Sequence, residues 1–357
     1  MTGIIVRAPR ARTFLLIIAS LLLCAFMSNA SAHRAAHRPA QGHATPAKLK
    51  KPPTHRKLGR HHRPRARHHA VKHHAAPAPQ QHRRAKRAAS ARPRPTTKPR
   101  LLASCGYSPR AANALHSRAA YVLDVRTGTP LLARNARTVR PIASISKLMT
   151  AVVARDADRP LDGMLRVSSH DRDTIKFTHS RLSVGSTLSR RDMYRIALMS
   201  SENRAAAALS RDYPGGRPAF VAAMNREARR LGMRRTRFRE PTGLSPRNVS
   251  TAEELALLVD AAARDPLIRR FSTAKSGTVH PGDGKLLYVN SDPLVRYGQW
   301  PIQLQKTGFI NEAGHGVVMR ALVRGRPQTI VLLGSPTRDG VTSDALRIRR
   351  WLACSLM

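Results

Sequence analysis

Residues 101–357 predict an α+β fold, a sheet flanked by helices. Three observations point to it: two short strand patterns open the segment, helical patterns fill its middle, and strand patterns followed by one helix close it. The segment has 257 residues and carries all 20 of the chain's Asp and Glu, ample for one domain with a real core. No internal repeat is apparent.

Taken in order, "RAAYVLDVRTGTPLLARN" (118–135) reads as a hairpin, two strands around a Thr-Gly turn. "SISKLMTAVVARDA" has helical periodicity, with Ile145, Leu148, Met149 and Val152 on one side. Ser189 and Asp192 are spaced as a capping box before "MYRIALM". "SSEN" interrupts that helix and "RAAAALSRD" resumes it. "RPAFVAAMNREARRLGM" has Pro218 near its first turn and Gly232 at its end, the usual asymmetry of a helix. Thr251 and Glu254 form a second capping-box pattern before "LALLVDAAARD". Four strand candidates follow, "KLLYVNS", "IQLQKTGF", "GVVMRALVRG" and "QTIVLLGSP", with "RYGQWPI" (296–302) as a loop, and "SDALRIRRWLACSL" is the closing helix.

The first hundred residues are different material. Arg7, Arg10 and Arg12 precede the apolar run "TFLLIIASLLLCAFM" (13–27), and "SNASA" offers an A-x-A cleavage site at Ala30 and Ala32. Residues 1–32 therefore read as a signal peptide, because a membrane span needs about 20 apolar residues. An uncleaved anchor is the alternative; a lipoprotein signal at Cys24 fits badly after the bulky Leu23. Residues 33–100 hold 20 Lys and Arg, 11 His, 10 Pro, no acid and no aromatic residue. Such a tail cannot bury enough apolar surface to offset its chain entropy, so disorder is expected.

With the 23 basic residues of these two segments set aside, the net charge of +44 leaves about +21 on residues 101–357. A balance of this sign seeks anionic polymers. Nucleic acid is disfavoured, since only 15 aromatic residues are available as stacking platforms and an export signal removes the chain from the genome. Anionic envelope polymers or a membrane surface, reached through the 33–100 tail, are the expected partners. Paired histidines such as His61–His62 and His73–His74 show no fixed ligand geometry and read as titratable filler, so no metal is expected. Cys105 and Cys354 remain after signal removal, and an oxidising compartment permits either a disulfide between them or two free thiols.

Three stretches carry chemistry. In Ser144-Ile145-Ser146-Lys147 the first and last residues share a helix face, which brings Lys147 Nζ within reach of Ser144 Oγ. A serine hydroxyl needs a base to become a nucleophile, and lysine serves only if burial or a neighbouring cation lowers its pKa. Ser201-Glu202-Asn203 falls at the break between two helices. Lys306-Thr307-Gly308 falls on a predicted inner strand, a costly place for lysine and glycine unless a substrate backbone approaches at Gly308. There Lys306 is expected to be the second cation that depresses Lys147.

S-x-x-K, S-x-N and K-T-G in this order resemble the penicillin-recognising serine acyltransferases. "ASISKLMTA", "LMSSENRAA", "EPTGLSPRNVST" and "QKTGFINEAG" are similar to the D-alanyl-D-alanine endopeptidase branch of the low-molecular-mass penicillin-binding proteins, of the penicillin-binding protein 7 type, over about residues 115–350. The resemblance implies a DD-peptidase/β-lactamase-like fold, an antiparallel sheet built from N- and C-terminal elements and flanked by helices, plus an all-helical subdomain. It implies Ser144 as nucleophile, Lys147 as general base, Ser201 as proton relay, Asn203 as a hydrogen-bond partner of the substrate and Lys306 as the charge that sets the local potential. Thr307 and Gly308 would bind substrate, and the backbone N–H groups of Ser144 and Phe309 would form the oxyanion hole. No cofactor is implied.

The resemblance also implies the substrate, the cross-linked stem peptides of peptidoglycan, with β-lactams as inhibitors and a periplasmic or other extracytoplasmic location, held peripherally at membrane or wall. Ser-Glu-Asn, Lys-Thr-Gly-Phe and a chain that ends soon after its last helix favour an endopeptidase over a D-Ala-D-Ala carboxypeptidase. Glu240 lies about where class A β-lactamases have their deacylating glutamate, but "FREPTGLSPRN" fits the endopeptidase text, in which this turn is structural. A β-lactamase and an inactive polybasic envelope-binding protein are the remaining alternatives.

Overall fold

The computed structural model describes residues 98–357 apart from residue 283. The expected signal peptide, the histidine pairs and nearly all of the polybasic tail lie outside the described residues.

Five strands form one antiparallel sheet: β1 (Ala119–Asp124), β2 (Thr129–Arg134), β3 (Ile302–Ile310), β4 (Gly314–Val323) and β5 (Arg326–Ser335), in the spatial order β2-β1-β5-β4-β3. The expected hairpin is β1–β2. The last strand of the meander pairs with the first strand of the chain, in a register that sets Ala119 opposite Leu333 and Asp124 opposite Gln328. Both faces are buried, so side chains alternate between two apolar cores. Tyr121, Val318, Val331 and Leu333 face one core, while Ala120, Val122, Met319, Ile330 and Leu332 face the other.

The first core is closed by helices from the middle of the chain: α1 (Ser146–Asp156), α2 (Arg190–Met199), α3 (Asn203–Arg211), α4 (Gly216–Arg230), α5 (Ala252–Ala262) and α6 (Pro266–Ser272). Ile145, Leu148 and Met149 are wholly buried there, as their spacing predicts. Gly232 follows α4 in the left-handed region at φ 81°. Ser189 and Thr251 cap α2 and α5 by accepting from the N–H groups of Asp192 and Glu254. Both of these capping boxes are only half made: the Asp192 carboxylate takes the Ser189 hydroxyl and Arg195, and the Glu254 carboxylate turns away to the Arg235 N–H and the Thr236 hydroxyl. "KLLYVNS" is a strand, but Leu286–Val289 pairs with Ser276–Val279 in a separate ladder and does not join the sheet.

The second core is closed by α7 (Arg338–Ser355), which lays Val341, Ala345, Ile348, Trp351 and Leu352 on the sheet. Cys354 in its last turn is bonded to Cys105, with Cα atoms 5.6 Å apart, so the free-thiol alternative is set aside. Beside the disulfide, the Leu102 N–H donates to Ser355 Oγ and Tyr107 meets Trp351 edge to face. The bridge closes a loop of 249 residues, and replacing both cysteines by serine is expected to cost about 2–4 kcal/mol. Urea unfolding checks this: reductant should shift the midpoint of the wild type and leave the double variant unmoved.

Candidate active site

The site lies where β3, α1 and the break between α2 and α3 meet. Ser144 sits in a single 3₁₀ turn, Ala143–Ile145, that leads directly into α1. Ala143 is held at φ 48°, an uncommon conformation for a residue with a side chain, immediately before the nucleophile candidate. One turn on, Lys147 is 1% exposed and donates to Ser144 Oγ at 2.9 Å, to Asn203 Oδ1 at 2.8 Å and to the Thr242 carbonyl at 2.5 Å. The geometry expected from S-x-x-K is therefore present, and Asn203 joins it from the first residue of α3. Ser201 stands at the break in the left-handed region, φ 65°. It lines the same cleft as Ser144, and among the described residues its hydroxyl makes no hydrogen bond.

Burial fixes the electrostatics. Loss of water lowers the Lys147 pKa from 10.5 to about 8, against the opposing pull of Glu240, Glu202 and Asp173. Lys306, fully buried on β3, is pushed well below its ordinary value, first by burial and then by the charge of Lys147, while Asp292 pulls the other way. Desolvation is the main cause for Lys147, and the repulsion between the two cations disfavours two charges in the same buried place.

One expectation is corrected: β3 is an edge strand and not an inner one. The turn that carries Ser144 packs against it at Gly308. A Cβ placed on Gly308 would lie 2.8 Å from the Ile142 carbonyl oxygen and 3.3 Å from Ala143 Cβ, so glycine is what lets strand and turn close up. Thr307 shares a 2.6 Å hydrogen bond with Ser291, and the half-exposed Phe309 ring stacks on His315. Ser144, Ser201, Thr307, Gly308 and Phe309 line one cleft of about 250 Å³ that runs on to Asp292 and Arg338.

Sequence reasoning missed four contributors. The Thr242 carbonyl is a backbone group and leaves no mark in composition. Gly243, at φ 85°, packs so closely on the nucleophile turn that a Cβ would meet the Ala143 carbonyl oxygen at 1.9 Å; its only signal was the Thr-Gly pair in "EPTGLS". Asp292 is buried with one carboxylate oxygen lacking a partner, and burial pushes its pKa up to about 6. Arg338, at the start of α7, enters the cleft from a distant part of the chain.

Glu240 is structural in its bonding. Its carboxylate accepts from the N–H groups of Thr242, Gly243 and Ser245, the Thr242 hydroxyl and the Asn248 amide. Those bonds shape the loop that holds the Thr242 carbonyl on Lys147. Asn248 fastens the same loop to Ser146 Oγ at 3.0 Å.

A serine bonded to a buried, pKa-lowered lysine in front of a five-stranded antiparallel sheet defines the class: serine hydrolases in which lysine is the partner of the serine. The chain belongs to peptidase family S11, D-alanyl-D-alanine carboxypeptidase, whose sequence model matches residues 107–337. It is 48% identical over 241 residues to a D-alanyl-D-alanine endopeptidase of Pseudomonas aeruginosa, covering 67% of this chain and 77% of that one. A D-alanyl-D-alanine endopeptidase of Escherichia coli K12 is 45% identical over 238 residues, with 66% and 77% covered. Among solved structures, a single-residue variant of the Streptomyces K15 DD-transpeptidase superposes with a TM-score of 0.62 at 25% identity, covering 67% of this chain and 98% of that one.

Proposed function

We propose that the protein is an exported endopeptidase that hydrolyses D-alanyl–diamino-acid cross-links of peptidoglycan through an acyl-enzyme on Ser144. The observation that carries this reading is the 2.9 Å hydrogen bond between buried Lys147 and Ser144 Oγ. As Ser144 Oγ attacks the D-alanyl carbonyl, its proton passes to neutral Lys147. The carbonyl oxygen takes up negative charge and is met by the N–H groups of Ser144 and Phe309, donors of a kind that contribute about 10²–10³ in rate each. The C–N bond breaks, Ser201 relays a proton to the departing amine, and water then releases the acyl group and restores Ser144. Asn203 hydrogen-bonds the substrate peptide while Thr307 and Gly308 receive its backbone along the free edge of β3.

Endopeptidase is preferred because both relatives above carry that name; the family description keeps D-Ala-D-Ala carboxypeptidase as the second reading. Mass analysis of purified cross-linked muropeptide dimers after incubation separates the two. Release of monomers is the expected result, and loss of terminal D-Ala alone means carboxypeptidase. β-Lactams acylate Ser144 in this reading and are released slowly, because the Glu240 carboxylate is occupied by its own loop. Rapid turnover of nitrocefin would overturn that statement. The 33–100 tail tethers the enzyme to anionic envelope polymers, and its deletion is expected to weaken salt-sensitive retention on sacculi while leaving soluble muropeptide turnover intact.

A further inference from the structure

Between residues 226 and 247 the folded domain carries eight arginines, no lysine and two acids. All eight arginines are exposed. Neither acid is free to balance them: Glu227 is buried against Arg230, and Glu240 is bound within its loop. Arg235 and Arg237 spend hydrogen bonds on backbone carbonyls. Among the described residues, the side chains of Arg226, Arg229, Arg234, Arg239 and Arg247 have no hydrogen bond and no ion pair, so five guanidiniums face solvent within 22 residues.

The position of this face matters more than its charge. Arg239 immediately precedes Glu240, and Arg247 immediately precedes Asn248. These two neighbours hold the loop whose Thr242 carbonyl binds Lys147 and tie it to Ser146 beside Ser144. Arg239 and Arg247 therefore bracket a loop that forms one wall of the active site, and Arg226, Arg229 and Arg234 lie on the helix end and turn that lead into it. Met233, Phe238 and Leu244 are buried and Leu231 packs half-buried against the core, which leaves no exposed wedge to enter a bilayer and no ring on which a base could stack. What remains suits carboxylates, which guanidinium binds in bidentate pairs.

We infer that this arginine face is an exosite for the polycarboxylate strands of the substrate polymer, holding neighbouring stem peptides while one peptide occupies the Ser144 cleft. The inference rests on the proposed peptidoglycan substrate and is separate from any role of the tail. It is tested in the full-length protein by two fourfold variants of equal charge loss. One is Arg226→Gln/Arg229→Gln/Arg234→Gln/Arg247→Gln; the other removes Arg110, Arg126, Arg191 and Arg350, which are equally exposed and lack ion pairs. The exosite variant should raise KM for intact sacculi at low salt about ten-fold, the low end of the range by which charged surfaces concentrate ligands. Its kcat and its turnover of a soluble muropeptide dimer should stay at wild-type values, and the difference should vanish near 0.5 M salt, where the Debye length is only about 4 Å.

An equal KM increase in the control variant, or none in the exosite variant, overturns the inference. So does an unchanged KM for sacculi accompanied by lost binding to phosphatidylglycerol vesicles, which would make the partner a lipid surface. If the wild type fails to cleave the soluble dimer, the functional reading fails by itself. Sedimentation with sacculi then still decides the exosite, which predicts weaker binding of the first variant alone.

Discussion

Replacing Lys147 by alanine is expected to slow acylation of Ser144 about 10³-fold, within the range for loss of a general base. The fold should tolerate the change better than most losses of a buried side chain, since a desolvated amine leaves with its methylenes. The pH profile is the sharper test. Only neutral Lys147 can accept the Ser144 proton, and its pKa is lowered to about 8 by burial. The acylation rate should therefore rise with pH, tenfold per unit well below pH 8, and level off above it. An ordinary lysine would keep the rate rising to about pH 10.4. A flat profile between pH 6 and 9 would remove Lys147 from the role. Lys147→Arg should fail to rescue, because guanidinium does not give up its proton in this range.

Gly243→Ala should be nearly as damaging, although Gly243 bears no chemistry. Two independent costs apply. The left-handed backbone at φ 85° disfavours any Cβ by about 1–2 kcal/mol. The new methyl would also meet the Ala143 carbonyl oxygen at 1.9 Å and the Ser144 nitrogen at 2.7 Å, and both are backbone atoms that cannot rotate away. The chain must shift either the loop, pulling the Thr242 carbonyl off Lys147, or the turn that aims Ser144. A fall in kcat/KM of about 10²-fold is expected, as misplacement by about 1 Å commonly costs. Gly232→Ala is the control: its φ of 81° is alike, but no atom lies within 4 Å of the added Cβ. It should lose only stability. Equal activity losses in the two variants would mean that backbone strain, not the contact with the nucleophile turn, is responsible.

Much of this was legible in the chain because local rules and tertiary packing agree here. The periodicity of Ile145, Leu148 and Met149 named the buried face of α1, and the same turn brings Lys147 onto Ser144. The three short motifs announced the residues that gather in the cleft. Pairing partners were not legible: nothing in "IQLQKTGF" distinguishes an edge strand from an inner one, because Leu304 and Lys306 are buried by the helical part of the chain and not by a neighbouring strand. How far burial lowers the Lys147 pKa was not legible either, since desolvation depends on everything packed around a group. Glu240 was legible by contrast: "FREPTGLSPRN" marked its turn as structural, and its carboxylate bonds within that turn.

The central claim is that Ser144 forms a covalent acyl-enzyme. Incubation of the full-length protein with benzylpenicillin, followed by intact mass and peptide mapping, tests it directly. One penicilloyl group on the peptide containing Ser144, absent from Ser144→Ala, is the predicted result. No adduct on the wild type, or an adduct that persists in Ser144→Ala, would contradict the account.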